Sequence, residues 1–140
     1  MWNTKATGVA YADPMFNNIG VTYTPTNIDA TATASPAQVA TGYITSTSAS
    51  ATTITLPTGT LLGAYLGATR GTTVDLYIDN TRGANTVTIA VGVNGILSAA
   101  AAAGSTANFG LLTVPSGVTG LAKFTLIFAS ATAYAFSRTA

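Results

Sequence analysis

Hydrophobic and polar positions alternate most cleanly between Thr73 and Asp79. Val74, Leu76 and Ile78 fall on one side of an extended chain there, and Asp75, Tyr77 and Asp79 on the other. Successive side chains of a strand point to opposite faces, so this spacing predicts a half-buried β-strand. Thr86 to Val91 repeats the pattern with Val87, Ile89 and Val91. Only the loop Asn80-Thr81-Arg82-Gly83-Ala84-Asn85 separates the two runs, so they are expected to pair as a hairpin. Gly42 to Thr47 and Thr52 to Leu56 are rich in Thr, Ile and Tyr and read as strands, the second stopped by Pro57. Three more are expected: Thr106 to Val114 with Phe109 and Leu111, Leu121 to Ala129 with Phe124, Leu126 and Phe128, and Thr132 to Arg138 with Tyr134 and Phe136. Ser130 and Ala131 then form the tight turn of a terminal hairpin.

Between the strands, Leu61, Leu62, Tyr65 and Leu66 recur at helical spacing and predict one short helix between Thr58 and Gly67, weakened by Gly63. Ser98 to Gly104 fits a helical turn or an extended segment equally. The first 40 residues carry Pro14, Pro25 and Pro36 and hold no sustained period of 2 or 3.6. Proline cannot donate to a ladder, so they read as an extended N-terminal arm. Trp2, Tyr11, Phe16 and Tyr23 ride on it, either folded back on the body or anchored as interface residues in another chain. The fold class expected is all-β: a small antiparallel sandwich or jelly-roll-like body over residues 41–140, with one short helix and an arm over residues 1–40.

Composition narrows the chemistry. The chain holds no histidine and no cysteine, and its acidic residues are four aspartates. A metal site wants His or Cys, a nucleophilic triad wants an imidazole base, and a thiol mechanism wants a sulfur. No catalytic residue, cofactor site or metal site is therefore expected, and no disulfide framework. Charged residues make up 6% of the chain with a formal net charge of +1. Lys5, Arg70, Arg82, Lys123 and Arg138 never form a basic run, so no nucleic-acid partner is expected. Every apolar run is broken by Thr, Ser, Asn or Gly well short of about 18 residues, so no membrane span is expected, and no secretion signal is visible at the amino terminus. A chain with so few charges is poorly protected against association, which favours a state covered by copies of itself or by a larger particle.

Four local patterns have a chemical reading beside a structural one. Asp75 and Asp79 are the one close carboxylate pair, but four strand residues part their backbones by about 13 Å, wider than the carboxylate spacing of glycosidases at about 5 to 9.5 Å. The loop Asp79 to Asn85 offers oxygens to a calcium ion but lacks the dense acids of a calcium loop. Gly67-Ala68-Thr69-Arg70-Gly71 follows a helix and enters a strand, the reverse of the order in a phosphate-binding loop, and reads as a turn. Gly92-Val93-Asn94-Gly95-Ile96 and Gly117-Val118-Thr119-Gly120-Leu121 read as turn chemistry used twice.

The run from Thr52 to Gly92, TTITLPTGTLLGAYLGATRGTTVDLYIDNTRGANTVTIAVG, together with Phe124 to Phe128 and Ala133-Tyr134-Ala135-Phe136-Ser137-Arg138, resembles a module of tailed-bacteriophage virion proteins. The order shared is a Leu-Pro pair, a Gly/Ala/Leu helix, a β-run into an Asp-Asn turn, and an Asn-Thr-Val-Thr strand. The likeness covers about two thirds of the chain, and its motifs are structural rather than catalytic. With the compact body and the arm, the resemblance implies a capsid decoration (cement) protein. Such a protein would be a homotrimer on the capsid exterior, made in the host cytoplasm and bound to the phage major capsid protein. A tail-fibre or head-fibre module binding host glycans through exposed aromatics such as Tyr65 and Tyr77 is the second reading, and an adhesin or surface-layer domain the third.

Overall fold

The computed structural model describes residues 20–97 and 112–140, and within them ten strands form two sheets around one core. In chain order the elements are β1 (Thr26–Asn27), β2 (Ala32–Thr33), α1 (Pro36–Ala40), β3 (Tyr43–Thr45), β4 (Thr52–Thr55), α2 (Gly59–Leu66), β5 (Thr73–Asp79), β6 (Val87–Ala90), β7 (Gly95–Leu97), β8 (Thr113–Val114), β9 (Leu121–Ser130) and β10 (Ala133–Arg138). The larger sheet has the order β1-β3-β5-β9-β10-β7 and the smaller β2-β4-β6-β8.

From β1 to β8 each strand lies in the sheet opposite its predecessor, so the chain winds between the two sheets. Strands laid down by successive turns of such a winding run the same way. Accordingly β1 with β3, β3 with β5, β2 with β4 and β4 with β6 pair in parallel. β7 also lies parallel to β10. Antiparallel pairing enters where β9 inserts between β5 and β10, and where β8 closes on β6. The expectation of an all-β antiparallel sandwich with a single helix is thus overturned: the sheets are mixed and, among the described residues, the helices α1 and α2 accompany them.

The expected hairpin between Thr73–Asp79 and Thr86–Val91 does not form. β5 keeps the predicted bounds but pairs with β3 and β9, whereas β6 pairs with β4 and β8 in the other sheet. Period-2 alternation says which face of a strand is buried. It does not say which strand lies beside it, and Leu76 and Ile78 meet the same core as Val87 and Ile89 from the opposite side. The loop between them crosses at Asn80, which is fully buried. Its Nδ2 donates to the carbonyls of Asn85 (2.8 Å), Val114 (3.0 Å) and Pro115 (3.1 Å), and its N–H to Gly120 O (2.6 Å). One amide thus fastens the crossing loop to the segment that leads from β8 to β9.

The terminal hairpin forms as expected, with the turn at Ala131-Thr132, one residue later than the sequence suggested, and a register shift between Phe128 and Ser130. Phe124 and Phe136 stack at 4.9 Å, and Phe128 meets Tyr134 edge-on at 5.8 Å. These rings, with Ile44, Leu76, Ile78 and Leu126, form the floor of the larger sheet. Ile54, Val87, Ile89 and Val114 answer from the smaller one. Fully burying each such side chain is worth about 1.5–3 kcal/mol. Tyr134 keeps its hydroxyl satisfied by donating to Pro57 O at 2.9 Å, and burial pushes its pKa upward.

Helix α2 occupies the expected place, started by Thr58, whose Oγ1 accepts from Leu61 N (3.2 Å), and ended by Gly67 at φ 61°. Gly63 and Gly59 serve close approach: a methyl at either would run into the carbonyls of the Ala131-Thr132 turn. Helix α1 was not expected. Ser35 Oγ accepts from Gln38 N (3.2 Å) while Gln38 Oε1 accepts from Ser35 N (2.8 Å), a reciprocal capping box with Pro36 in the first turn.

The expected boundary between arm and body at residue 40 falls inside the packed unit. β1 and β2 extend both sheets, and Ile28, Ala34 and Val39 are buried in the common core. Pro25 does not prevent this, because the strand it precedes is two residues long and lies at a sheet edge, where one missing donor costs little, and Pro36 opens α1, where its missing donor has no partner to lose. Trp2, Tyr11, Phe16, the Ser98–Gly104 stretch, Phe109 and Leu111 lie outside the described residues.

Candidate functional site

Strand alternation sends the core-facing residues of the larger sheet inward, so Tyr43 and Thr45 of β3, Asp75, Tyr77 and Asp79 of β5, and Leu121, Lys123, Thr125 and Ile127 of β9 line its outer face. The register sets them in rows. Tyr43, Tyr77 and Lys123 share one row, and Thr45, Asp79 and Leu121 the next. Tyr23 folds back onto this face, its ring centroid 5.8 Å from that of Tyr77 at 49°. Tyr23 thus packs on its own chain. Gly42 makes room for it: a Cβ there would stand 2.9 Å from the Tyr23 ring, and φ is 76°.

Val21, Tyr23, Tyr43, Tyr77, Asp79 and Leu121 line an open recess of about 450 Å³. A second recess, of about 500 Å³, adjoins it across Tyr43 and Asp79 and is lined by Pro25, Thr45, Ser46, Thr47, Thr81 and Arg82. The first is aromatic and the second is walled by hydroxyls beside a guanidinium.

The shared wall is a fixed hydrogen-bonded unit. Tyr43 Oη donates to Asp79 Oδ2 at 2.6 Å, and Asp79 Oδ1 accepts from both Thr81 N (2.9 Å) and Thr81 Oγ1 (2.6 Å). Partial burial alone would raise the pKa of Asp79. The bonds from Thr81 and Tyr43, with the nearby Arg82 charge, outweigh it and hold the carboxyl below its ordinary range. The same bond to Asp79, with burial, pushes the Tyr43 phenol upward. Neither group is poised to exchange a proton near neutrality, so the unit is built to hold a shape rather than to turn over protons.

Asp75 stands apart. It accepts from Thr125 Oγ1 (3.0 Å) and faces Lys123 Nζ at 3.7 Å, an exposed pair of the kind worth about 0–1 kcal/mol. Asp75 and Asp79 therefore serve different neighbours. In the Asp79–Asn85 loop considered for calcium, the Asn80 amide nitrogen points at carbonyls, and among the described residues no group of three or more His, Cys, Asp or Glu could hold a metal ion. Tyr65 lies on α2 and is not part of either recess. Tyr43 and Leu121 were missed, although Tyr43 alternates with Ile44 in a run already read as a strand, and that alternation puts it on the open face. No described helix is long and apolar enough to cross a membrane. Comparison with family models, curated proteins and solved structures finds no match to this chain.

Proposed function

We propose that the chain is a non-enzymatic structural protein of a tailed-phage virion, an oligomeric decoration protein that caps and stabilises the outside of the capsid shell. The observation that carries this reading is the apolar surface around α2. Leu61 and Tyr65, one helical turn apart, are 58% and 57% exposed, and Val93, in the loop that meets the start of α2, is 71% exposed. Gly59 N donates to Val93 O at 2.8 Å, which keeps that loop against the start of the helix. In a chain of which 6% is charged, such side chains have little polar surround and suit burial against a partner. The likeness of the Thr52–Gly92 run to virion modules supplies the company: a shell with the major capsid protein beneath. Cyclic trimers suit its threefold positions, and many shallow contacts repeated by symmetry add to firm attachment.

Attachment of this kind rests on apolar burial and backbone hydrogen bonds, which salt scarcely screens. Sedimentation of decorated particles at low salt and in about 1 M sodium chloride tests it. The chain should stay with the particle at both. Release of most copies at high salt would mean an ionic interface and would remove the basis for this reading.

A further inference from the structure

We infer that the twin recess on the outer face of the larger sheet is a saccharide-binding site, taking a neutral oligosaccharide with one pyranose ring against Tyr23 and Tyr77 and the next along the hydroxyl-lined side. It goes beyond the decoration role, which rests on a different surface.

Three features of the recess select this chemistry. The first is shape and lining. Two adjoining recesses of about 450 and 500 Å³ share the wall made by Tyr43 and Asp79. Each is within the roughly 300–1,000 Å³ typical of ligand sites. An aromatic half beside a hydroxyl-rich half matches a molecule whose rings have an apolar C–H face and a rim of hydroxyls.

The second is the state of the polar groups. Because Tyr43 Oη gives its proton to Asp79, what it offers a ligand is lone-pair acceptance. Asp79 Oδ1 is taken up by both Thr81 donors, so the carboxylate supports the wall and adds further acceptors rather than donors. A ligand that meets this wall must bring O–H or N–H groups, as sugar hydroxyls and N-acetyl groups do. On the other side Thr45, Thr47 and Thr81 give their hydroxyl protons to Asn27 Oδ1 (3.0 Å), Asp29 Oδ2 (2.9 Å) and Asp79 Oδ1 (2.6 Å), so that half too meets a ligand's O–H groups with acceptors.

The third decides between a sugar and a cation. Three tyrosines beside an aspartate would otherwise resemble a cage for a quaternary ammonium. Here Lys123 Nζ already stands 5.6 Å from the Tyr77 ring centroid, and Arg82 lines the second recess. The ammonium such a ring attracts is thus already supplied by the chain, with Asp75 as its counter-ion at 3.7 Å, and the aromatic surface is left to a neutral partner.

The test uses the full-length chain on an array of immobilised neutral oligosaccharides ending in hexose or N-acetylhexosamine, followed by calorimetric titration of those that bind, with choline as a competing probe. Saturable binding of at least one oligosaccharide is expected. Tyr77→Ala should weaken it at least about tenfold, in line with the loss of a stacking ring. Tyr43→Phe, which keeps the ring and removes the acceptor, should weaken it by roughly threefold to tenfold, as for one net hydrogen bond. Both variants should keep a cooperative melt, since both side chains face outward. No saturable saccharide on the array, equal binding by both variants, or binding of choline in place of sugar would each overturn the inference. Detachment of Tyr77→Ala from particles with no saccharide bound would also overturn it, by making this face the shell contact, and would leave the decoration role standing.

Discussion

Asn80→Asp should destabilise the fold by about 3 kcal/mol or more, a large part of the stability of a domain this size. Asn80 is fully buried, and its Nδ2 is shared among three carbonyl oxygens. A carboxylate of the same shape would aim an oxygen at three oxygens and place a charge where nothing offsets it. The change touches the point where the chain passes from β5 in one sheet to β6 in the other and is tied to the segment after β8, so it strikes both sheets together. The deficit should depend on pH in a fixed sense. Burial raises the folded-state pKa of the introduced acid above its unfolded value, so the folded state binds more protons and the variant loses further stability as pH rises. Urea denaturation at about pH 4 and pH 8 would show the larger gap from the parent at pH 8. A variant within about 1 kcal/mol of the parent at both would mean that the amide does not fasten the crossing.

Removing residues 1–40 should cost the cooperative melt, or lower its midpoint by at least about 15 °C at a few degrees per kcal/mol. The cut takes β1 and β2 from the edges of both sheets, with the bonds from Ile28 N to Thr45 O (2.9 Å) and Ala34 N to Thr55 O (2.8 Å). It also takes Ile28 and Val39 out of the core, about 1.5–3 kcal/mol each, and uncovers Ile44 and Ile54 where the edge strands lay. A chain beginning at Gly20 retains every element from β1 onward and should melt cooperatively. Circular dichroism on the two truncations distinguishes them. If the shorter one melts like the whole chain, residues 26–40 are accessory to the fold rather than part of it.

The contrast between these two regions shows what the sequence could disclose. β5 was legible to the residue because one face is wet and the other dry, and β9 and β10 were legible because a tight turn joins strands that are true neighbours. Pairing elsewhere was not, because the winding puts sequence neighbours in different sheets, and a strand's own pattern is the same whether its partner is parallel or antiparallel. The short elements before residue 41 escaped for another reason: strands of two residues have no period to detect. One signal there was available. Ser35-Pro36-Ala37-Gln38 has the spacing of a capping box with proline in the first turn, and it starts α1. For the candidate site, Tyr77 was visible as an aromatic on the polar face of a strand, and Tyr23 as an aromatic on a segment without a period. Their meeting, and the part played by Tyr43, came from the parallel register between β3 and β5.

The proposed decoration role is tested most directly by electron cryo-microscopy of particles of the phage that, on this proposal, encodes the chain. The account predicts density for the two-sheet body on the outer surface of the shell, at threefold positions, with α2 toward the major capsid protein and the recess of Tyr23, Tyr43 and Tyr77 turned away from it. Finding the chain only on the tail, or nowhere on the particle, would contradict it.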